Sequence, residues 1–205
     1  MKKSPITIIA VIGIGLILVI LSITSYNGLV NKDEAVSASW SQVENVYKRR
    51  ADLIPNLVST VKGYADFEKS TLIGVIEARS KATSVTVDPT NLNGENVQQF
   101  LKAQEGLSSA LSRLMLVVER YPDLKANQNF MDLQQQLEKS ENRITVERRN
   151  FIGDVKDYNM TIRRFPGRIF AGLFGFEKKD YFQAQEGDEN APNVGKMFNS
   201  NEEEK

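Results

Sequence analysis

The chain has 205 residues, and its 26 basic and 26 acidic side chains leave no net charge. This balance argues against a nucleic-acid binder that relies on bulk positive charge. Histidine and cysteine are both absent from the sequence, which excludes disulfide bridges, thiolate nucleophiles, Cys/His zinc sites and Ser-His-Asp triads. The middle of the chain is rich in Leu, Gln, Glu, Lys, Arg and Ala and therefore favours helices.

The N-terminal part of the chain is apolar and uncharged over residues 6–23. As a helix, this stretch spans about 27 Å, close to the roughly 30 Å hydrocarbon core of a bilayer. Tyr26 follows at the position where an interfacial aromatic residue belongs. We therefore predict a short N-terminal tail over residues 1–4 and an uncleaved transmembrane anchor over residues 5–26. A cleaved signal peptide is the alternative, but its apolar region is usually shorter.

The charges that flank this apolar segment predict its orientation. Lys2 and Lys3 precede the segment, whereas Lys32 beyond it is followed at once by Asp33 and Glu34. Because basic residues near a span are retained in the cytoplasm, the count favours a domain outside the cytoplasm. Placement of the domain in the cytoplasm stays open as the alternative.

Apolar residues recur at helical spacing from residue 31 to about residue 82, which predicts one long amphipathic helix. Pro55 interrupts this helix, and we expect a kink there rather than a reversal of the chain. Residues 83–96 collect Pro, Gly, Asn and Thr and predict a loop. A second helix is predicted over residues 97–118, ending before Tyr121 and Pro122.

A third helix is predicted from about residue 124 to residue 165, because apolar residues recur there every seven positions. We interpret this series as packing within one chain, with self-association in a coiled coil as the alternative. The members of the series are Phe130, Leu137, Ile144, Phe151, Tyr158 and Phe165.

A phenylalanine-rich segment over residues 169–182 follows, flanked by arginines. It either folds back over an open end of the helical bundle, or it lies on the membrane surface or a partner. Residues 183–205 are polar and acidic, and we expect this tail to be disordered.

Short sequence blocks in a fixed order resemble the LemA family of bacterial membrane proteins. The blocks include YNGLV at 26–30, WSQV at 40–43, RRADLIPNLV at 49–58, ERYPDLKAN at 119–127, RRFP at 163–166 and FGF at 174–176. One departure is NFIGDV at 150–155, where the family usually has Tyr-Asn-x-x-Val.

The resemblance implies an all-α fold, in which a single N-terminal transmembrane helix precedes an elongated antiparallel bundle of three to four long helices over residues 27–182. It implies a single-pass protein of the bacterial cytoplasmic membrane and no settled enzymatic activity. Family descriptions often place the domain in the cytoplasm, against the charge count. Genes of the family are often found near those for membrane metallopeptidases and envelope-stress functions, so the resemblance also implies a partner class.

Two groups of residues are candidates for partner contact. Arg49, Arg50 and Asn56 lie around the proline, and Phe174 and Phe176 lie in the phenylalanine-rich segment. We predict no catalytic, cofactor-binding or metal-binding residue and no nucleic-acid partner. A carboxylate site for Mg²⁺ or Ca²⁺ is a remote alternative, built from Glu68, Glu77, Glu119 or Glu141.

A second set of residues is predicted to act structurally. Asp123 is expected to cap the third helix, and Asn56 to satisfy a backbone carbonyl that the proline leaves free. Glu141 is expected to form an ion pair with Arg50 across helices. The full structural set comprises Asp52, Pro55, Tyr121, Pro122, Asp123, Glu141 and Arg143.

These features lead to three hypotheses about function. The first is a non-enzymatic, membrane-anchored helical scaffold or adaptor at the cell envelope, with a protein partner there. The second is a regulator or adaptor of a membrane protease or envelope-stress system. The third is a hydrolase that uses carboxylates alone, whose turnover would be lost on changing Glu141→Gln.

Overall fold

The computed structural model describes residues 5–64, 68–90 and 92–182, with side chains from residue 9 onward. Within these residues the chain is all-helical, which confirms the predicted fold class. The predicted tails, 1–4 and 183–205, lie outside the described residues. The helices are α1 (Pro5–Lys62), α2 (Lys69–Ser84), α3 (Gly94–Val118), the single turn α4 (Pro122–Lys125), α5 (Gln128–Arg163) and α6 (Gly167–Phe174).

Helix α1 joins the apolar N-terminal segment to the bundle without a break. It has 58 residues and a length of about 87 Å at about 1.5 Å per residue. Among the helices that the structure describes, α1 alone is long and apolar enough to cross a membrane. The rest of the chain buries no part of its apolar 18-residue stretch.

The first reversal of the chain follows the end of α1 at Lys62. The chain does not reverse at Pro55, as we expected, because α1 continues through it. The prediction of a continuous helix to residue 82 is wrong, however, because α1 ends at Lys62 and α2 begins at Lys69. Gly63 follows the last helical residue, where the backbone freedom of glycine favours helix termination.

The helices alternate in direction. Lys32 lies 3.4 Å from Asp157, whereas the Tyr64 hydroxyl donates to the carbonyl oxygen of Asp123 at the opposite end, 3.3 Å away. Helix α5 therefore runs back along α1 and returns to the end that carries the apolar segment. Helices α2 and α3 form an antiparallel pair against the outer half of α1.

The buried side chains form two apolar cores along the bundle. We call them the anchor-side core and the distal core. Residues of the anchor-side core include Leu29, Val36, Trp40, Val43, Tyr47, Phe100, Phe151, Val155 and Tyr158. Residues of the distal core include Ala51, Ile54, Leu57, Val61, Leu72, Leu107, Leu114, Phe130 and Leu137.

The seven-residue series of α5 packs within the chain, as we expected. Its members from Phe130 to Tyr158 are buried in the two cores. Phe165 is 83% exposed, so its assignment to the series is wrong. The reason is that α5 ends at Arg163, which leaves Phe165 in the turn before α6.

The chain folds back after α6 and lies along α1 and α5. The Tyr158 hydroxyl donates to the carbonyl oxygen of Glu177, 2.8 Å away. Asn159 donates to the carbonyl oxygen of Lys179 at 2.8 Å and accepts from its backbone N–H at 3.0 Å. Phe182 packs against Trp40, with ring centroids 6.1 Å apart. We call residues 176–182 the strap, and its position confirms the fold-back interpretation for this part of the phenylalanine-rich segment.

Candidate functional site

The centre of the bundle holds a buried arginine. Arg50 is 1% exposed, and its Nη1 donates to Glu141 Oε1 at 2.5 Å and to Ser108 Oγ at 2.8 Å. Its Nη2 donates to the backbone oxygen of Gln104 at 3.1 Å and to Oε1 of the same residue at 3.0 Å. The guanidinium thus joins α1, α3 and α5, and the predicted Arg50–Glu141 ion pair is confirmed.

This arginine lies where the two apolar cores meet. Tyr47, one turn before it, belongs to the anchor-side core, and Ala51 belongs to the distal core. The guanidinium carbon lies 5.1 Å from the centroid of the Tyr47 ring. Burial raises the pKa of the Tyr47 phenol, against the opposing charges of Arg148 and Arg50, so the phenol is neutral at physiological pH.

A buried, forked cation with acceptors on two other helices fixes the relative position of those helices. Arg50 therefore holds the register of the bundle. Its burial also corrects the prediction that it contacts a partner, since the folded chain leaves no surface of this side chain free.

An open groove lies between α3 and α5, directly beside this ion pair. It has a volume of about 620 Å³, and Ser108 and Glu141 belong to its lining. We call it the α3–α5 groove. Its apolar lining consists of Leu111, Met115, Leu116 and Leu137. Leu116 is 72% exposed, so a large apolar side chain lies open to solvent there.

Three glutamates give the α3–α5 groove an acidic rim. Glu119 pairs with Lys125 at 2.5 Å, Glu138 accepts a hydrogen bond from Gln134 at 3.3 Å, and Glu141 pairs with Arg50. Glu141 is 50% exposed, so its carboxylate faces both the buried arginine and the groove. The arrangement suits an apolar ligand surface with flanking positive charge.

The opposite side of α3 carries a second groove, which is lined by small residues and by mostly basic charged residues. The α2–α3 groove has a volume of about 570 Å³ and small walls that include Gly74 and Gly106. Its charged lining residues are Glu77, Lys81, Lys102 and Arg113. Basic residues therefore outnumber acidic ones in the lining of the α2–α3 groove, whereas the charged residues that line the α3–α5 groove are all glutamates.

The remaining predicted contact residues are divided between two places. Arg49 and Asn56 are exposed on α1. Phe174 and Phe176 lie at the other end of the bundle, where Phe174 contacts Tyr26 with ring centroids 4.9 Å apart. The structure does not bring the two groups together.

Other residues fill two of the predicted structural roles. Helix α5 is capped by Asn127, whose side chain accepts from the backbone N–H of Phe130 at 3.1 Å, so the assignment of this cap to Asp123 is wrong. Asp123 instead lies in the first turn of α4. Pro122 occupies the N-terminal end of α4, after Tyr121.

The backbone carbonyl that the proline leaves free is that of Ala51, four residues before Pro55. Arg79 donates to it from Nε at 2.8 Å. The prediction that Asn56 fills this role is therefore wrong. Asp52 and Pro55 are both exposed on α1.

Among the described residues, Arg143 forms an ion pair, and so do three of the four carboxylates proposed for the alternative metal site, the exception being Glu77 on α2. Arg143 pairs with Glu147 at 2.8 Å, and Glu68 pairs with Arg120 at 2.7 Å. Glu119 and Glu141 are paired on the rim of the α3–α5 groove, as described above. In the described part of the chain, no group of three or more acidic residues is arranged to hold a metal ion.

Sequence reasoning missed Arg79, Ser108 and the role of Gln104. Gln104 offered a hint, since it is a polar residue in the apolar series of α3 and is 5% exposed. Its amide nitrogen donates to the carbonyl oxygen of Ala82, 3.0 Å away. A polar residue at a core position is expected to have such partners.

The fold and this site define a class: an all-helical bundle that is continuous with an apolar N-terminal helix and is held in register by a buried arginine. A family model described as the LemA family matches residues 39–195. Because the match covers more than half of the sequence, the chain belongs to the LemA family.

Several relatives resemble most of the chain. Magnetosome protein MamQ 2 of Paramagnetospirillum magneticum and magnetosome protein MamQ of Magnetospirillum gryphiswaldense are each 27% identical to it, over 177 and 176 residues. Both matches cover 77% of this chain, which spans 64% of the length of each relative. Protein LemA of Metamycoplasma hominis is 26% identical over 160 residues, covering 78% of this chain and 69% of the relative.

Proposed function

We propose that this LemA-family chain is a non-enzymatic, membrane-anchored scaffold or adaptor of the bacterial cell envelope, and that it receives a helix of a partner protein in the α3–α5 groove. The observation that carries this proposal is the groove itself, in which an apolar lining that includes the exposed side chain of Leu116 is rimmed by Glu119, Glu138 and Glu141. The magnetosome relatives, which are named for a cellular structure rather than for a reaction, support a structural role.

The length, apolar lining and acidic rim of the α3–α5 groove suit a basic amphipathic helix. Its α3 lining runs from Ser108 to Glu119, about 18 Å of helix, which matches about three turns of a partner helix. An amphipathic helix would place its apolar stripe on Leu111, Met115 and Leu116, as in other helix-in-groove complexes. Lysines or arginines beside that stripe would face the acidic rim.

The apolar N-terminal segment determines on which side of the membrane the α3–α5 groove lies and how far from it. We infer that residues 5–26 span the cytoplasmic membrane and that the bundle lies outside the cytoplasm, as the charges of Lys2 and Lys3 favour. Arg50 and the groove beside it lie about 40 Å along α1 from Ile23, the end of the apolar run. The partner helix therefore belongs to a part of an envelope protein that extends well beyond the bilayer.

Site-specific photocrosslinking in cells tests the partner helix. A photoreactive amino acid replaces Leu116 in the groove, and a matched control replaces Ile73, an exposed apolar residue on α2. We expect adducts from position 116 that map to a basic amphipathic helix, fewer adducts in a Glu138→Lys background, and none of these adducts from position 73. Equal adducts from both positions, or a mapped segment that is acidic or not helical, would contradict the proposal.

Protease protection tests the proposed topology separately. An epitope tag added after Lys205 should be digested by protease added to spheroplasts whose membrane is intact. A tag that is protected until the membrane is opened would place the bundle in the cytoplasm. The search for the partner would then move to the cytoplasmic faces of membrane complexes.

A further inference from the structure

Helix α6 leaves an apolar face open to solvent. Ile169 and Leu173 lie one turn apart on it and are 59% and 71% exposed. Phe165, in the turn before α6, is 83% exposed. Three large apolar side chains in nine residues form a patch that a soluble surface rarely carries without a binding role. We call it the α6 patch.

The opposite face of α6 is already occupied by the bundle. Ala171 is 4% exposed and belongs to the anchor-side core, against which Phe170 and Phe176 also pack. Gly167 allows the tight turn into α6, because a Cβ atom there would clash with the carbonyl oxygen of Thr161. The helix is thus fixed on the bundle, and the α6 patch faces outward.

The position of α6 along α1 places this patch beside the apolar segment. The Phe174 ring packs edge-on against Tyr26, with centroids 4.9 Å apart. Tyr26 follows Ile23, the end of the apolar run, by about 4.5 Å of helix rise. That depth corresponds to the headgroup and upper acyl region of a bilayer that α1 crosses.

The charges around the patch complement anionic lipid. Arg163, Arg164 and Arg168 are all exposed, and none of them forms an ion pair among the residues that the structure describes. The nearby carboxylates of Asp157 and Asp33 are paired with lysines instead. Apolar side chains among unpaired arginines are the composition of a helix that lies in a membrane interface.

We propose that α6 is an interfacial helix that inserts the α6 patch into the lipid surface next to the membrane span. The chain then has two attachments to one bilayer, α1 across it and α6 along it. This inference rests on the proposed span of residues 5–26. Two attachments on a rigid bundle restrict its tilt, so the α3–α5 groove is held at a defined height above the membrane.

The test uses full-length protein in nanodiscs that contain anionic lipid. The chain has no cysteine, so single cysteines carry nitroxide labels without other changes. One label is placed by Leu173→Cys and a matched control by Leu116→Cys, since these two side chains are 71% and 72% exposed. The measurement is the collision rate of each label with oxygen, which enriches in lipid, and with a water-soluble nickel chelate.

We expect the label at position 173 to collide several-fold more with oxygen and several-fold less with nickel than the label at position 116. Equal nickel accessibility at the two positions would overturn the proposal. Protection from both reagents at position 173 would also overturn it, since that pattern indicates burial against protein, such as a second copy of the chain.

A third label, placed by Ile14→Cys, separates failure of this inference from failure of the anchor. Lipid exposure at position 14 with water exposure at position 173 would overturn the α6 proposal alone. Water exposure at position 14 would overturn the anchor and the α6 proposal together. Replacing Arg164 and Arg168 by glutamate should reduce the protection at position 173 in anionic nanodiscs, whereas Arg149→Glu on the middle of α5 should not.

Discussion

Arg79 on α2 donates from Nε to the carbonyl oxygen of Ala51 on α1, 2.8 Å away. This carbonyl is the one that Pro55 deprives of its helical donor, because proline has no backbone N–H. A side chain from a neighbouring helix thus replaces the missing hydrogen bond. The contact also explains how α1 continues through Pro55 as a helix.

The first prediction concerns this replacement. Arg79→Ala should lower the free energy of unfolding by about 1–3 kcal/mol, because it leaves a largely buried carbonyl without a donor. Pro55→Ala restores the backbone N–H, so Arg79→Ala should cost about 1 kcal/mol less in that background. Denaturant unfolding of the four proteins in detergent, followed by circular dichroism, measures this coupling. Additive effects of the two substitutions would show that Arg79 does not compensate for the proline.

The second prediction concerns the buried arginine. Arg50→Ala should lower the free energy of unfolding by about 3–5 kcal/mol, since it opens a cavity and removes the donor from buried acceptors. Glu141→Ala should cost only about 1 kcal/mol, because Glu141 is half exposed and Arg50 keeps its contacts with Gln104 and Ser108.

Arg49→Ala is the matched control for this prediction. Arg49 is the exposed neighbour of Arg50, so its removal should change stability by less than about 0.5 kcal/mol. Thermal and denaturant unfolding of all three variants provide the comparison. Equal losses for Arg49→Ala and Arg50→Ala would contradict the assigned role of Arg50 in holding the helices in register.

The third prediction concerns alkaline pH. Burial, with smaller contributions from Asp33 and Glu177, raises the pKa of the Tyr158 phenol from 10.0 to about 12. Because the folded pKa lies above the unfolded one, this stabilising contribution is complete below pH 10 and is lost as the pH rises toward about 12. Allowing for solvent screening, the loss should be about 1–2 kcal/mol.

Comparison with Tyr158→Phe isolates this effect. Phenylalanine lacks the hydroxyl that donates to Glu177, so the variant should be about 1 kcal/mol less stable at pH 8. The difference in stability between the two proteins should shrink as the pH rises from 10 to 12. A difference in unfolding free energy that stays constant across this pH range would show that the Tyr158 phenol does not resist ionisation.

The fourth prediction concerns the strap. Trp40 is the single tryptophan of the chain, and it is fully buried beneath Phe182 and Phe151. Phe182→Ala should admit water to the indole and shift its fluorescence emission to longer wavelength, with a loss of about 1–2 kcal/mol in stability. Tyr181→Ala changes the exposed neighbour and should leave the emission in place. An unchanged emission maximum in Phe182→Ala would mean that the strap does not shield Trp40.

Much of the fold could be predicted because the spacing of apolar residues along the sequence reflects local helical structure. The seven-residue series from Phe130 to Tyr158 identified the buried face of α5, and the turn residues of 83–96 identified the connection to α3. The turn after Lys62 was missed, because Gly63 stands there without a proline or a cluster of polar turn residues. Periodicity continues across such a turn, so it does not reveal where the chain reverses.

The site depends on contacts that a linear pattern cannot specify. The ion pair between Arg50 and Glu141 was predicted because two opposite charges lay on helices expected to be neighbours. The role of Arg79 was not predicted. The rotation of α2 against α1 decides which side chain can donate to the Ala51 carbonyl oxygen, and the sequence does not specify that rotation. The groove is equally hidden, because the sequence does not show that α3 and α5 leave an open space between them, lined by Leu111 and Leu116.

The most direct test of a basic helix in the acidic groove is a charge-reversal titration. The partner segment identified from position 116 is synthesised as a peptide and titrated into full-length protein in nanodiscs, with an environment-sensitive dye at Leu116→Cys. Reversing one rim charge by Glu138→Lys should weaken binding by about three- to tenfold, and reversing the facing basic residue of the peptide should restore it. An affinity that is the same for wild type and Glu138→Lys, with either peptide, would contradict the account.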